Sequence, residues 1–249
     1  MTTHTATGAA SGRRRALVLA GRGRYEDPWH DTAATSHEVA TALGEVGVDA
    51  EVRGTFPVAF DGLGGFDLVV VNACSTRPAP DAEVDGDDAA WDGAFAALGA
   101  WASSGGRLLA LHQAANAFQD RPAWAEAWHG ALGGSWVPGR SMHPERGRGL
   151  FDVRDPAHPV TRGLAGPDAR FTADDERYSY LDVAPASRVL VTQRHDGVDH
   201  PVVWTHDAHG GLTVYDALGH DVRAHREPVR RRLLQREALW LLGSPALSA

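Results

Sequence analysis

The sequence predicts a three-layer α/β domain, a doubly wound and mostly parallel sheet with irregular insertions in its second half. Three observations carry that reading. Short apolar runs such as Ala16-Leu17-Val18-Leu19-Ala20 and Leu68-Val69-Val70-Val71 are continuous rather than alternating, as strands buried on both faces require. Helical patterns alternate with these runs through the first half, over short connections. A chain of 249 residues supplies one large domain but is short for two.

Residues 16–20 form the first predicted strand, bounded by charge and glycine. Residues 32–46 predict a helix, because Val39, Ala40, Leu43 and Val46 recur at helical spacing and Gly47 follows as a stop. Short strands are expected at 49–53 and 67–72. Residues 78–88 are acidic and proline-bearing, a loop feeding a helix over 89–103. Gly105-Gly106 stops that helix, and 107–112 is the fourth strand. In the second half, 123–132 reads as a short tryptophan-rich helix, and 149–154, 188–193, 201–205 and 211–217 read as strands. Asp196-Gly197 supplies a turn between two of them. The chain closes with a helix over 228–242, its proline in the first turn and Val229, Leu233, Leu234, Ala238 and Leu241 on its apolar side. Without a repeat or a dividing linker, 14–243 reads as one domain. Residues 1–13, small, polar and aperiodic, read as a disordered tail.

Composition narrows the function. The charge is −8, from 32 acidic and 24 basic residues, so nucleic acid is not an expected partner. Every basic residue is arginine, which removes Schiff-base and P-loop lysine chemistry. The single Cys74 excludes a disulfide framework and a cysteine-rich zinc module, and reads best as a small core residue. No apolar run approaches the ~18 to 20 residues that span a bilayer, so no membrane partner is expected. Arg13-Arg14-Arg15 precedes only five apolar residues, short of the ~7 to 15 of a signal-peptide core. The chain is therefore expected in the cytoplasm.

Ligands of open parallel sheets bind beyond the carboxyl ends of the strands. By that rule His112-Gln113 and Leu218-Gly219-His220 fall at strand ends, as do residues 21–24 and 72–75. Thirteen histidines supply further candidates: His30 after the first strand, and His143 in an irregular stretch. Glu176 stands in an acidic run beside Tyr178. Imidazoles with a carboxylate form a ligand set for a first-row divalent metal, and equally a set for proton transfer. Each of these five residues alone reads more readily as a hydrogen-bonded structural histidine or a surface acid than as a ligand; only convergence would make a site. His4, His37, His129, His195, His206, His209 and His225 read as exposed or capping residues. Gly21-Arg22-Gly23-Arg24 has Glu26 where a dinucleotide fingerprint needs its third glycine, so no nucleotide cofactor is expected. Ser75 and Ser141 lack the context of a serine nucleophile. Trp124, Trp128 and Trp136 suit either stacking on sugar rings or the core, and Trp91 and Trp128 read as core.

Ordered blocks then resemble a known family. Residues 16–20 with His30-Asp31, residues 66–71, and Gly105-Gly106 through His112 to Ala115 occur in its order. So do His158-Pro159 through Gly163-Leu164, Asp175-Glu176-Arg177-Tyr178, His200-Pro201 through Trp204, and residues 210–220 ending in Gly219-His220. Together, over about residues 15–242, they resemble the ThuA-like, trehalose-utilisation family, built on a flavodoxin-like, class I glutamine-amidotransferase-like fold. The resemblance implies that His112 holds the elbow where amidotransferases carry a cysteine, so thiolate glutaminase chemistry is not expected. It implies that His30, His112, His143, His220 and Glu176 gather in one pocket, with zinc the leading metal. It also implies a role in disaccharide or keto-glycoside metabolism. Gln113 and Asn116 depart from the family's small or acidic residues, and Met142 stands where serine is common.

The leading expectation is a metal-assisted, hydrolase- or isomerase-type enzyme acting on a sugar or keto-sugar. His30, His112, His143 and His220 are the candidate metal ligands; His112, Glu176 and His220 are the candidate catalytic groups. Asn72, Gln113, Tyr178 and Trp136 are the candidate substrate contacts. The alternatives are a non-catalytic sugar-binding or regulatory protein of the same fold, and a metal-free hydrolase using a histidine–carboxylate pair. Self-association is left open.

Overall fold

Strand β1 (Arg15–Ala20) pairs in parallel with β2 (Asp49–Gly54) on one side and β3 (Leu68–Asn72) on the other, with Val18 opposite both Val52 and Val70. The computed structural model describes residues 13–207 and 210–244. The tail expected at 1–13 therefore lies almost wholly outside the described residues, as do His4 and His209. Next to β3 comes β4 (Arg107–Leu111), then β11 (Leu212–Asp216), both parallel to it. The side chains of β3 are buried throughout, as are those of β1 and β4 after their leading arginines, which is what a strand covered on both faces demands. Beyond β11 the sheet continues antiparallel through β10 (Val198–His206), β9 (Arg188–His195), β6 (Gly147–Val153) and β7 (Arg170–Asp175), giving nine strands. The strands β5 (Gly134–Ser135) and β8 (Asp182–Val183) form a small separate ribbon.

Helix α1 (Thr32–Glu45) starts where the Asp31 carboxylate accepts the amide of Ala34. The short α2 (Ala82–Asp85) leads into α3 (Asp88–Ser103), capped in the same way by Asp87 on Ala90. After α4 (Pro122–Leu132) and the antiparallel strands come α5 (Val222–Arg226) and α6 (Pro228–Leu241). Helices α1, α5 and α6 pack together against β1, β4, β7 and β11, while α3 and α4 pack with one another.

Three local expectations are corrected. Strand β7 was not anticipated: its inward positions are Phe171, Ala173 and Asp175, and the buried acid breaks the apolar alternation. On α6 the buried side carries Leu233, Leu234, Ala238 and Leu241 as expected, but also Arg230 and Glu237, both fully buried. His206 and His225, expected exposed or capping, are buried; His206 meets the Ser187 hydroxyl at 3.0 Å, and His225 packs beneath Gly219.

Candidate metal centre

His112 follows β4 directly and opens a 3-10 turn with φ +47°, a conformation that side-chain-bearing residues seldom adopt. This sharp strand-to-helix elbow aims the ring past the sheet's carboxyl edge. Its backbone carbonyl accepts the Tyr215 hydroxyl at 2.8 Å. Its Nδ1–H donates to the Ala217 carbonyl at 2.7 Å, and because a carbonyl only accepts, Nε2 is left with its lone pair.

His30 is prepared in the same way by a different device. The Asp27 carboxylate accepts the backbone amides of Trp29 and His30, forming an Asx turn, and lies 2.8 Å from His30 Nδ1. Nδ1 therefore carries a hydrogen, and in the neutral ring Nε2 has its lone pair. The two prepared nitrogens, His30 Nε2 and His112 Nε2, are 3.2 Å apart.

Glu176, the residue after β7, completes the arrangement. Its Oε2 is 3.3 Å from His112 Nε2 and 4.0 Å from His30 Nε2, and it is a buried atom without a hydrogen-bond partner. Its Oε1 is 3.3 Å from the buried His220 Nδ1. Ligand atoms from His30, His112, Glu176 and His220 all lie within 4.8 Å of one another. Lone pairs and carboxylate oxygens pointed at one place repel unless a cation or a shared proton stands among them. Three imidazoles and one carboxylate are also a donor set suited to zinc or another first-row divalent ion. The residues present fit such an ion.

The electrostatics agree. Burial lowers the pKa of His112 to about 4, so it stays neutral, as a ligand must be. Burial works to raise Glu176, but the contacts around it, His220 among them, outweigh that and hold it well below the ordinary carboxylate range. The contact with Glu176 in turn raises His220.

The other expected residues are placed as follows. His143 stands at the mouth, its side chain 40% exposed, with Nδ1 3.8 Å from Glu176 Oε1 and 3.1 Å from the carbonyl of Pro144. Tyr178 is buried and stacked on His112 with ring centroids 4.4 Å apart, its hydroxyl 3.1 Å from His112 Nε2. Trp136 sets its ring edge-on to Tyr178 at 4.9 Å. Gln113 is half-buried in the elbow turn, and its Oε1 lies 3.5 Å from Asn116 Nδ2. Asn72 is turned away from this group: its amide donates to the hydroxyls of Thr35 and Ser36, both at 2.9 Å, tying β3 to α1. Two motif histidines serve the fold: Nδ1 of His158 accepts the amide of Val160, and Nδ1 of His200 accepts that of Tyr180.

Sequence reasoning missed Asp27 and Asp175. Asp27 was legible in principle, as an acid three residues before a candidate histidine with Pro28 between them. Asp175 accepts three backbone amides, from Glu176, Gly219 and His220, and no sequence pattern signals that task. Cys74 packs its buried thiol by Asp27, and burial followed by the charge of Asp27 pushes its pKa up, away from nucleophilic use.

A doubly wound sheet whose fourth strand ends in a histidine elbow, with a histidine–carboxylate group beyond it, defines an α/β protein of the flavodoxin-like, amidotransferase-like class. The ThuA family, described as trehalose utilisation, matches residues 15–241, and the chain belongs to that family. A ThuA-like protein from Parabacteroides merdae superposes with a TM-score of 0.73 at 20% identity, over 94% of this chain and 91% of that one. Another from Bacteroides uniformis gives 0.69 at 18% identity, over 96% and 95%. A cytoplasmic protein from Salmonella typhimurium gives 0.58 at 14% identity, over 91% and 98%. At such identities the likeness is one of fold. Comparison with curated proteins returns no match. Among the described residues, no helix is long and apolar enough to cross a membrane.

Proposed function

We propose that this chain is a cytoplasmic enzyme of disaccharide or keto-glycoside metabolism, of hydrolase or isomerase type, whose centre takes a divalent cation, zinc before others. One observation carries the reading: His30 Nε2 and His112 Nε2 stand 3.2 Å apart, each with its other nitrogen committed to an acceptor, beside the unpartnered Glu176 Oε2. His30, His112, His220 and Glu176 would hold the ion, and Asp27 and the Ala217 carbonyl keep two of the rings in the ligating tautomer. The ion would supply Lewis acidity toward a sugar carbonyl or hydroxyl.

The remaining residues suit a polyhydroxylated substrate. Burial raises the pKa of Tyr178 well above its ordinary value, so its hydroxyl stays protonated and, 3.1 Å from His112 Nε2, is a donor to that nitrogen whenever no ion takes its lone pair. His143 at the mouth and Gln113 in the elbow turn offer polar contacts, and the Trp136 ring gives a sugar face an apolar partner. The description of the family as trehalose utilisation supports the same substrate class.

The test is turnover of keto-disaccharides by protein loaded with zinc, compared with chelated protein and with His112→Ala. Product formed only by the loaded wild type supports the reading. Stabilisation by sugar without consumption would replace it with a binding function, and full activity after chelation would replace it with metal-free acid–base chemistry.

A further inference from the structure

Behind His220 lies a set of ionisable side chains with no access to solvent. Asp175, Asp216, Arg230 and Glu237 are each 0% exposed. Burying charge is costly unless it is paired and hydrogen-bonded. Three of the four hydrogen-bond to three consecutive residues, 218–220. Asp216 Oδ1 accepts the amide of Leu218 at 2.8 Å, while Arg230 Nη2 donates to the Leu218 carbonyl at 3.0 Å and lies 3.1 Å from Asp216 Oδ2. Asp175 Oδ2 accepts the amide of Gly219 at 2.7 Å, and Asp175 Oδ1 that of His220 at 3.1 Å. The loop is tight enough to exclude a side chain: Gly219 has φ +125°, and a Cβ there would come 2.8 Å from His225 Nε2.

The same Asp175 Oδ1 also accepts the amide of Glu176 at 2.9 Å. One carboxylate thus holds the backbones of two residues from distant parts of the chain, whose side chains meet at 3.3 Å between His220 Nδ1 and Glu176 Oε1. We infer that Asp175 is the positioning residue of the centre, a backbone clamp that sets the spacing of Glu176 and His220, with the Asp216–Arg230 pair fixing Leu218, two residues before His220. The inference rests on the metal-centre reading for its effect on affinity, but the clamp itself is independent of any ion. An asparagine has the shape to replace Asp175 but only one acceptor oxygen, so it cannot hold all three amides.

Two readouts test it on the full chain. Zinc affinity is measured by competition with a chromophoric chelator for wild type, Asp175→Asn, Gly219→Ala and a distant core control, Leu43→Ala. Amide hydrogen exchange across residues 216–221 is measured on the same proteins without metal. Asp175→Asn should weaken zinc binding about 10- to 100-fold, the range for lost supporting contacts at metal sites. It should also speed exchange at Gly219 and His220 while β1 and β3 keep their protection. Gly219→Ala, which leaves every carboxylate in place, should do likewise, so the test survives if one variant fails to fold. Leu43→Ala should lower the unfolding temperature with affinity unchanged. Wild-type affinity and wild-type exchange in the clamp variants would overturn the inference, as would an affinity loss of the same size in Leu43→Ala. If wild type takes up no zinc, the metal reading falls, and the exchange result alone decides the clamp.

Discussion

His30 and His112 face one another through Nε2 atoms 3.2 Å apart, although each has already given its Nδ1 hydrogen to an oxygen acceptor. Neither ring has a hydrogen left to offer the other in its neutral form. The pair is therefore arranged for something positive between the rings, and Asp27 and Ala217 create that arrangement.

Removing one of those acceptors should loosen the centre without unfolding it. Asp27→Ala frees His30 to rotate or to exchange tautomers, so zinc affinity should fall about 10- to 100-fold. Chelator competition, with unfolding temperature in parallel, checks this.

Asn72 offers a contrast. Its amide binds Thr35 and Ser36 rather than facing the histidines. Asn72→Ala should cost about 1 to 3 kcal/mol of stability, the price of unpairing buried hydrogen-bonding groups. Zinc affinity should stay at the wild-type value; a selective loss of affinity in chemical denaturation and chelator measurements would assign it to the centre.

The Arg230–Asp216 pair predicts strong non-additivity. Arg230→Met leaves Asp216 buried without its cation and should destabilise by about 3 to 5 kcal/mol. Adding Asp216→Asn should recover part of that loss, as a double-mutant cycle by urea unfolding would show.

The two buried histidines should cost stability on mild acidification, against the opposite contribution of the buried acids Asp175, Asp216 and Glu237, whose pKa values burial raises. Burial lowers His112 to about 4 and His225 to about 3, against 6.5 in an unfolded chain. Between those values the unfolded state binds more protons, so the stabilisation is complete above about pH 6.5 and is lost as pH falls toward the folded values. Replacing His225 with leucine should remove its share, making the variant lose less stability than wild type, or gain more, from pH 7 to pH 4 in a series of denaturant titrations.

The parallel half of the sheet was readable because strands buried on both faces leave continuous apolar runs, as in residues 68–71. Position rules then placed His112 and His220 at strand ends. Strand β7 was hidden because Asp175 occupies an inward position that periodicity reserves for apolar groups. The same blindness applied to α6, where Arg230 and Glu237 sit on the buried side. Histidines carry no periodic signature, so His206 and His225 could not be told from exposed ones. Orientation was equally beyond the sequence: Asn72 ends a strand at the correct edge, yet its amide turns back to α1.

The most direct test of the central claim is metal content by elemental analysis on protein purified without an affinity tag, for wild type, His112→Ala and His220→Ala. Near-stoichiometric zinc is expected in the wild type, with its loss from both variants. Wild-type protein that holds no divalent metal after reconstitution, or variants that retain it, would contradict a shared centre built from these histidines.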